Sequence, residues 1–484
     1  SGQVLTSGGA GAAPSWADAA GGGTIDLVAQ GAIANGAPVI LLSNGKVKTI
    51  TPVSPSWGSD ASADSTSGNA YACYAGAGRI FVAYRDPQNS NGLSACAGTI
   101  SGTAITWGTP ESFNSTYSAE IACAVDPATG NFIIAFTQLS NDHGKYAKGT
   151  IGTSGTSITD NGISTFRSAS TQQKDMCFDT ANNKFFLAAN TSNAGCIWRT
   201  AATNASASLG GGGDLGTTTN GVEGSHVTCE YDSTAEVCLT TYKRSNDSNH
   251  YICAVDLSDN SEGTEVLVSA FTDYHGMSHD SSVGKTIIVF NVSNVLTYKV
   301  ATCSGTTITL SSAATLIAGV HGDTLNKSFA YNPQTKKHYL QFGNYTTGSA
   351  NDRIYPITLS GTTATVGTYF VTDPSGEQPN SLVTNLDNNT LVYVSGATKA
   401  IVYQPESTDL TTGDATNLLG FSTAAYSDGN TATISVIGGV SENQSSLTTG
   451  SLYYVTRTGA LSTASASTSQ KIGIALSATK LLIK

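Results

Sequence analysis

Short apolar runs broken by polar turns fill most of the chain, and they recur. The clearest unit is Ile121-Ala-Cys-Ala-Val-Asp126-Pro-Ala-Thr-Gly-Asn131-Phe-Ile-Ile-Ala-Phe136, a strand-like run, a turn opened by Asp, and a second strand-like run. Counterparts are Met176-Cys-Phe-Asp179, Cys229-Glu-Tyr-Asp232, His279-Asp280, Phe329-Ala-Tyr-Asn332 and Thr384-Asn-Leu-Asp387, with an earlier copy, Ala72-Cys-Tyr-Ala-Gly76, that uses Gly for the turn. The turn residues stand 50, 53, 53, 48, 52 and 55 positions apart. Asp or Asn at a turn start bonds its own backbone and Gly supplies positive φ, so these segments read as hairpins between short strands.

A second register agrees with the first. Ser-Gly-Thr-x-x-Thr begins at Ser101, Ser154, Ser304 and Ser360, and each period holds about four strand-like runs, which in the second copy cover 119–126, 131–138, 145–151 and 157–163. Four strands in each period of about 50 residues predict an all-β fold, a seven-bladed β-propeller with four-stranded blades. An antiparallel solenoid is the competing architecture, but it needs end repeats with a polar cap, and none is visible. The seventh period is short, so its outer strand is expected from the segment at about Val47 to Val53, closing the ring.

The flanks differ from the repeats. Residues 1–23, mostly Gly, Ala and Ser around Trp16, read as a flexible connector that buries too little to offset its ordering entropy. Residues 24–52 read as an N-terminal β arm, 53–410 as the propeller, and 411–484 as a small C-terminal β module. Gly36 to Val47 and Gly450 to Leu461 share a Gly, an apolar arm and a second Gly nine residues on, which suggests that arm and module associate.

Composition narrows the function classes. Charged residues make up 12% of the 484, with 23 Lys+Arg against 34 Asp+Glu and a net charge of -11. That balance lacks the basic stripe that neutralises phosphates, so nucleic acid is not an expected ligand. No run of about 18 apolar residues occurs, so no membrane insertion is expected. The start, Ser1-Gly2-Gln3-Val4-Leu5, has neither the basic nor the apolar region of a secretory signal, and release by lysis is one route consistent with that. The nine cysteines have no zinc-like spacing and are expected as packed free thiols, with Cys73, Cys123, Cys177 and Cys229 at equivalent positions in consecutive repeats.

Three regions of the chain carry a resemblance. Asn417-Leu-Leu-Gly-Phe-Ser-Thr-Ala-Ala-Tyr-Ser-Asp-Gly-Asn, together with Leu447-Thr-Thr-Gly-Ser-Leu-Tyr-Tyr-Val and Ile472-Gly-Ile-Ala-Leu-Ser-Ala-Thr-Lys, resembles the C-terminal module of tail-fibre-like structural proteins of marine cyanophages. The opening Gly2 to Trp16 is similar to a connector of the same proteins, and Phe81-Val-Ala-Tyr-Arg-Asp86 and Gly98-Thr-Ile-Ser-Gly-Thr-Ala-Ile-Thr-Trp-Gly108 resemble their repeats. The resemblance implies a virion appendage, assembled in the host cytoplasm and extracellular after lysis. Its implied partners are other virion subunits, further copies of the chain, and a host-surface glycan or protein.

Candidate chemistry is sparse. Sialidase-type Ser-x-Asp-x-Gly-x-Thr-Trp boxes, a nucleophile elbow and a zinc-protease helix are all missing, so no catalytic residue and no cofactor is expected, and a glycan depolymerase is the weakest reading. His275 and His279 stand four apart on a predicted strand, about 13 Å along it, which argues against a metal pair. Six residues before the turn residues stand Glu120, Gln173, His226, Tyr274, Asn326 and Ser381, a column expected to line the mouth of the central channel. Tyr and Asn on a rigid scaffold suit saccharide or protein contact, so the loop from Tyr242 to Tyr251 and the loop holding Tyr345 and Arg353 are further ligand candidates.

Overall fold

The computed structural model describes residues 3–6, 15–18, 23–42, 44–64, 68–153, 155–191, 195–204, 208–215, 227–244, 247–270, 273–293, 295–318, 328–343, 352–371, 379–395, 398–405, 407–408, 410, 417–456, 458–464 and 469–484. Apart from one 3-10 turn at Pro87–Asn89, the regular elements among them are β-strands in antiparallel sheets. No described helix is long and apolar enough to cross a membrane. The chain divides into two compact units, Ser56–Pro405, and Ser1–Pro55 together with Glu406–Lys484.

The larger unit is a β-propeller. Its innermost strands are Gly68–Tyr74, Ser118–Val125, the second half of Ile158–Asp179, Thr228–Asp232, Asp273–Asp280, Phe329–Asn332 and Pro379–Asn385. Each lies beside the next and the last lies beside the first, so the ring closes. Ile158–Asp179 runs without a break from the outer edge of one blade, paired with His143–Ile151, to the inside of the next, paired with Lys184–Thr191. The Ser-Gly-Thr repeats at Ser101, Ser304 and Ser360 are two-residue hairpin loops between third and fourth strands, with Gly102, Gly305 and Gly361 at φ of 57°, 53° and 62°, whereas Ser154 lies outside the described residues.

Apolar packing sits between blades. Among the described residues, seven core clusters each draw on two neighbouring blades, from Phe81 and Phe132 in the first pair to Val394 and Val82 across the closure. Both faces of each second strand are therefore covered. That is why Ile80-Phe-Val-Ala-Tyr84 and Phe132-Ile-Ile-Ala-Phe136 read as nearly continuous apolar runs rather than as alternation.

The blade that begins at Pro379–Asn385 borrows its outer strand from the start of the ring, as expected, but not from the expected segment. Ser56–Trp57 and Ala61–Ser62 pair with Lys399–Gln404. Trp57 supplies the anchor, with its ring 4.5 Å from Tyr403 and 5.6 Å from Phe370. Val47–Thr49 instead pairs with Pro38–Leu41, and Pro52–Val53 with Ser407–Thr408, all in the smaller unit.

That smaller unit holds a sheet in the order Thr24–Val28, Thr431–Ser435, Leu418–Ser422, Pro38–Leu41, Val47–Thr49, which curls until Ala29 bridges Val47. N-terminal and C-terminal strands thus share one sheet, over a core that includes Ile40, Phe421, Val455, Ile472 and Leu481. Within the stretch read as a connector, Gln3–Thr6 pairs with Ser15–Asp18. The strand-forming Val, Leu, Thr and Trp favour that ladder.

Candidate functional site at the axis of the ring

The turn ends of the inner strands repeat one device. Asp126, Asp179, Asp232, Asp280 and Asn332 are buried, and each side-chain oxygen accepts the backbone N–H two residues on at 2.9–3.1 Å. In the last blade Asn385, not Asp387, takes this role, accepting from the Asp387 N–H at 3.1 Å, so the final spacing is 53 rather than 55. Asp387 serves the closure instead, accepting from the Tyr74 hydroxyl at 2.8 Å and from the Gly78 N–H of the first blade.

In the last four blades the residue just before the turn ties the blade to the one before it. The Tyr231 hydroxyl accepts from the Ala181 N–H at 3.3 Å, Tyr331 bonds Ser282 Oγ at 3.1 Å, and Thr384 Oγ1 donates to the Tyr331 carbonyl at 2.8 Å. His279 belongs to this set. Its Nε2 lies 3.3 Å from Thr234 Oγ1 and 3.5 Å from Asp232, and its Nδ1 lies 3.1 Å from Thr286 Oγ1. Burial holds it below the ordinary imidazole range against the pull of both carboxylates. Its Nε2 is thus used between blades and its Nδ1 within its own, and among the described residues no group of three or more His, Cys, Asp or Glu could hold a metal.

Within this rim lies a cavity of about 460 Å³, lined from all seven inner strands, with Cys73, Cys123, Cys177, Tyr231, Tyr331 and Leu382 among its walls.

The opposite ends of the inner strands carry the column expected from the sequence. Glu120, Gln173 and Tyr274 each fall at a β-bulge, where one extra residue breaks the register, and Asn69 and Asn380 occupy the bulges of the first and last blades. His226 and Asn326 lie outside the described residues. Ser381 does not belong to the column: it is buried past its bulge, and its Oγ accepts from the Ala72 N–H at 3.1 Å across the closure. Bulges re-aim side chains, and Glu120, at φ 51°, is exposed.

One residue past the bulge, Lys174 is buried, a feature the sequence pattern gave no signal for. Its Nζ donates to Thr137 Oγ1, which in turn donates to the Thr171 carbonyl at 2.8 Å. Burial pulls the ammonium down to about 7, opposed by the Glu120 carboxylate of the neighbouring strand.

The tyrosine candidates are internally engaged. Tyr242 is buried and donates to Glu265 Oε2 at 2.6 Å. Tyr251 donates to Asp247 Oδ2 at 2.8 Å, its ring covered by the Arg244 guanidinium at 4.1 Å, which also pairs with Glu265. Arg353 sits 4.3 Å over the Tyr369 ring, while Tyr345 lies outside the described residues.

No protein-family model matches the sequence, and no curated protein matches it. Solved propellers are similar in fold. The Dos1 propeller is 10% identical over 76% of this chain and 81% of its own, with a TM-score of 0.40. The C-terminal WD40 domain of Sif2 is 9% identical over 71% and 97%, with a TM-score of 0.43. The NanB sialidase of Streptococcus pneumoniae is 11% identical over 72% and 70%, also at 0.43. The chain is thus a β-propeller protein with a second, smaller β unit built from its two flanks.

Proposed function

We propose that the chain is a non-enzymatic virion appendage resembling cyanophage tail-fibre proteins, in which the smaller unit joins other virion subunits and the propeller engages a host-surface glycan or protein. The observation that carries this reading is the insertion of a self-closed ring between the halves of one folded unit. The strands Leu418–Ser422 and Thr431–Ser435, from the stretch with the resemblance, pair with Pro38–Leu41 and Thr24–Val28, while residues 56–405 form the ring. Such a division suits a carrier and a display head. The non-enzymatic part is supported by the carboxylates at the axial turns, which are spent on capping backbone N–H groups.

Adsorption tests the reading. Labelled whole protein is expected to bind cells of a susceptible marine cyanobacterium and, in excess, to block virus attachment. A second reading, a purely structural joint, is favoured by Ile25, Val28, Leu41, Ile437 and Leu476, large apolar side chains left exposed on the smaller unit. Incorporation into particles without any adsorption would replace the first reading with the second.

A further inference from the structure

Two thiols from different blades meet at the axial cavity. Cys73, on Gly68–Tyr74, and Cys123, on Ser118–Val125, have their Sγ atoms 2.9 Å apart. That separation is closer than unbonded sulfurs normally rest and under 1 Å longer than the ~2.05 Å of a disulfide. The two are held face to face by their strands: Cys73 Sγ also reaches the Cys123 carbonyl at 3.1 Å, and Cys123 Sγ the Tyr71 carbonyl at 3.6 Å. Both line the cavity of about 460 Å³, and Cys73 is partly exposed while Cys123 is buried, so a small reagent can reach Cys73. Cys196, Cys229, Cys238 and Cys253 differ in being buried between blades, where burial pushes the Cys238 thiol up, while Cys177, also in the cavity wall, has its own side-chain bond to Cys238.

We infer that Cys73 and Cys123 are a modification site, a dithiol that a small-molecule disulfide converts into a bridge between the first two blades. The Cys73 thiolate attacks one sulfur of the reagent RSSR, forming a mixed disulfide and releasing RS⁻. The Cys123 thiolate then attacks the Cys73 sulfur, the protein bridge forms, and a second RS⁻ leaves. Two thiols are oxidised, one reagent disulfide is reduced to two RSH, and both protons go to the released thiolates. The bridge would clasp neighbouring inner strands at the cavity wall and close a loop of about 50 residues in the unfolded chain.

The test uses the whole native protein and oxidised glutathione. Before treatment all nine thiols should titrate after denaturation in the presence of alkylating reagent. After treatment two should be lost, peptide mapping should find the Cys73–Cys123 bridge, and Tm should rise and return on adding dithiothreitol. Cys73→Ser should abolish both the bridge and the Tm shift, and Cys123→Ser should leave a single glutathione adduct at Cys73. Mapping on the unmutated protein keeps the test valid if either variant fails to fold. Nine thiols after treatment, a glutathione adduct on the unmutated protein that never resolves, or a bridge at Cys177 and Cys238 in place of this one would overturn the assignment.

Discussion

At their turn ends the inner strands repeat one solution blade after blade, whereas at their bulge ends the same strands diverge. The turn end needs only a side-chain oxygen that satisfies N–H groups of its own loop, so Asp179 and Asn332 can do the same work whatever surrounds them. The bulge end presents Asn69, Glu120, Gln173 and Tyr274 at comparable places, and buries a lysine beside one of them. Regularity thus marks the end that builds the ring. On the proposed reading, the variable end is where a binding preference would differ among similar rings.

The largest expected effect comes from breaking the regular end. Asp179 accepts from the Ala181 and Asn182 N–H groups and from Asn182 Nδ2, each at 2.9 Å, in a fully buried setting. Asp179→Ala should cost on the order of 2–4 kcal/mol, since it leaves buried donors unmatched. Asp179→Asn should recover most of that loss in urea unfolding. A cost under about 1 kcal/mol for the alanine variant would mean that inter-blade packing, not the turn, sets the geometry.

Lys174 sharpens the contrast from the other end. Because burial lowers its folded pKa to about 7 while the unfolded chain keeps an ordinary lysine, the unfolded state binds more protons between those values. The charged amine therefore penalises the fold fully below pH 7, and the penalty fades as pH rises towards 10. Lys174→Met should stabilise by roughly 1–3 kcal/mol at pH 6 and by little near pH 10, read as Tm against pH. Equal gains at both pH values would locate the effect in packing rather than charge.

A smaller pH effect belongs to the turn end. His338 is buried, bonds Ser278 Oγ through Nδ1 at 2.9 Å, and is pushed down to about 4 by burial, against the nearby Asp280 carboxylate. Its folded pKa lies below the unfolded value, so the stability linked to it is present above about pH 6.5 and is lost as pH falls through 4. His338→Asn should flatten the stability profile over that window. An unchanged slope would shift the cause to the Asp residues of the turns.

The period was legible because its signal is local: an Asx oxygen and the two N–H groups it serves lie within four residues. The last copy was misread because Asn385, Asp387, Asn388 and Asn389 crowd one turn, and only the hydrogen bonds separate Asn385 from the rest. Ser381 inherited that error through its spacing. Glu120, Gln173 and Tyr274 fall at bulges because in those three blades the bulge lies six residues before the turn, whereas in the last it lies five before Asn385. Nothing in a string of polar and apolar letters marks Lys174 as buried, since its partners Thr137 and Glu120 lie on other strands. Tyr242 looked free for the same reason: Glu265, which holds it, sits 23 residues on.

The tyrosine network offers the smallest and most discriminating test. Tyr251→Phe removes the bond to Asp247 but keeps the ring beneath Arg244, so stability should fall by no more than about 1 kcal/mol. If the Arg244 and Tyr251 surface is only a brace, adsorption to cells should be unchanged while Glu120→Gln, at an exposed bulge, lowers it. If Tyr251→Phe lowers adsorption instead and Glu120→Gln does not, recognition belongs to the loops beyond the second strands. The variability of the bulge end would then need a cause other than ligand choice.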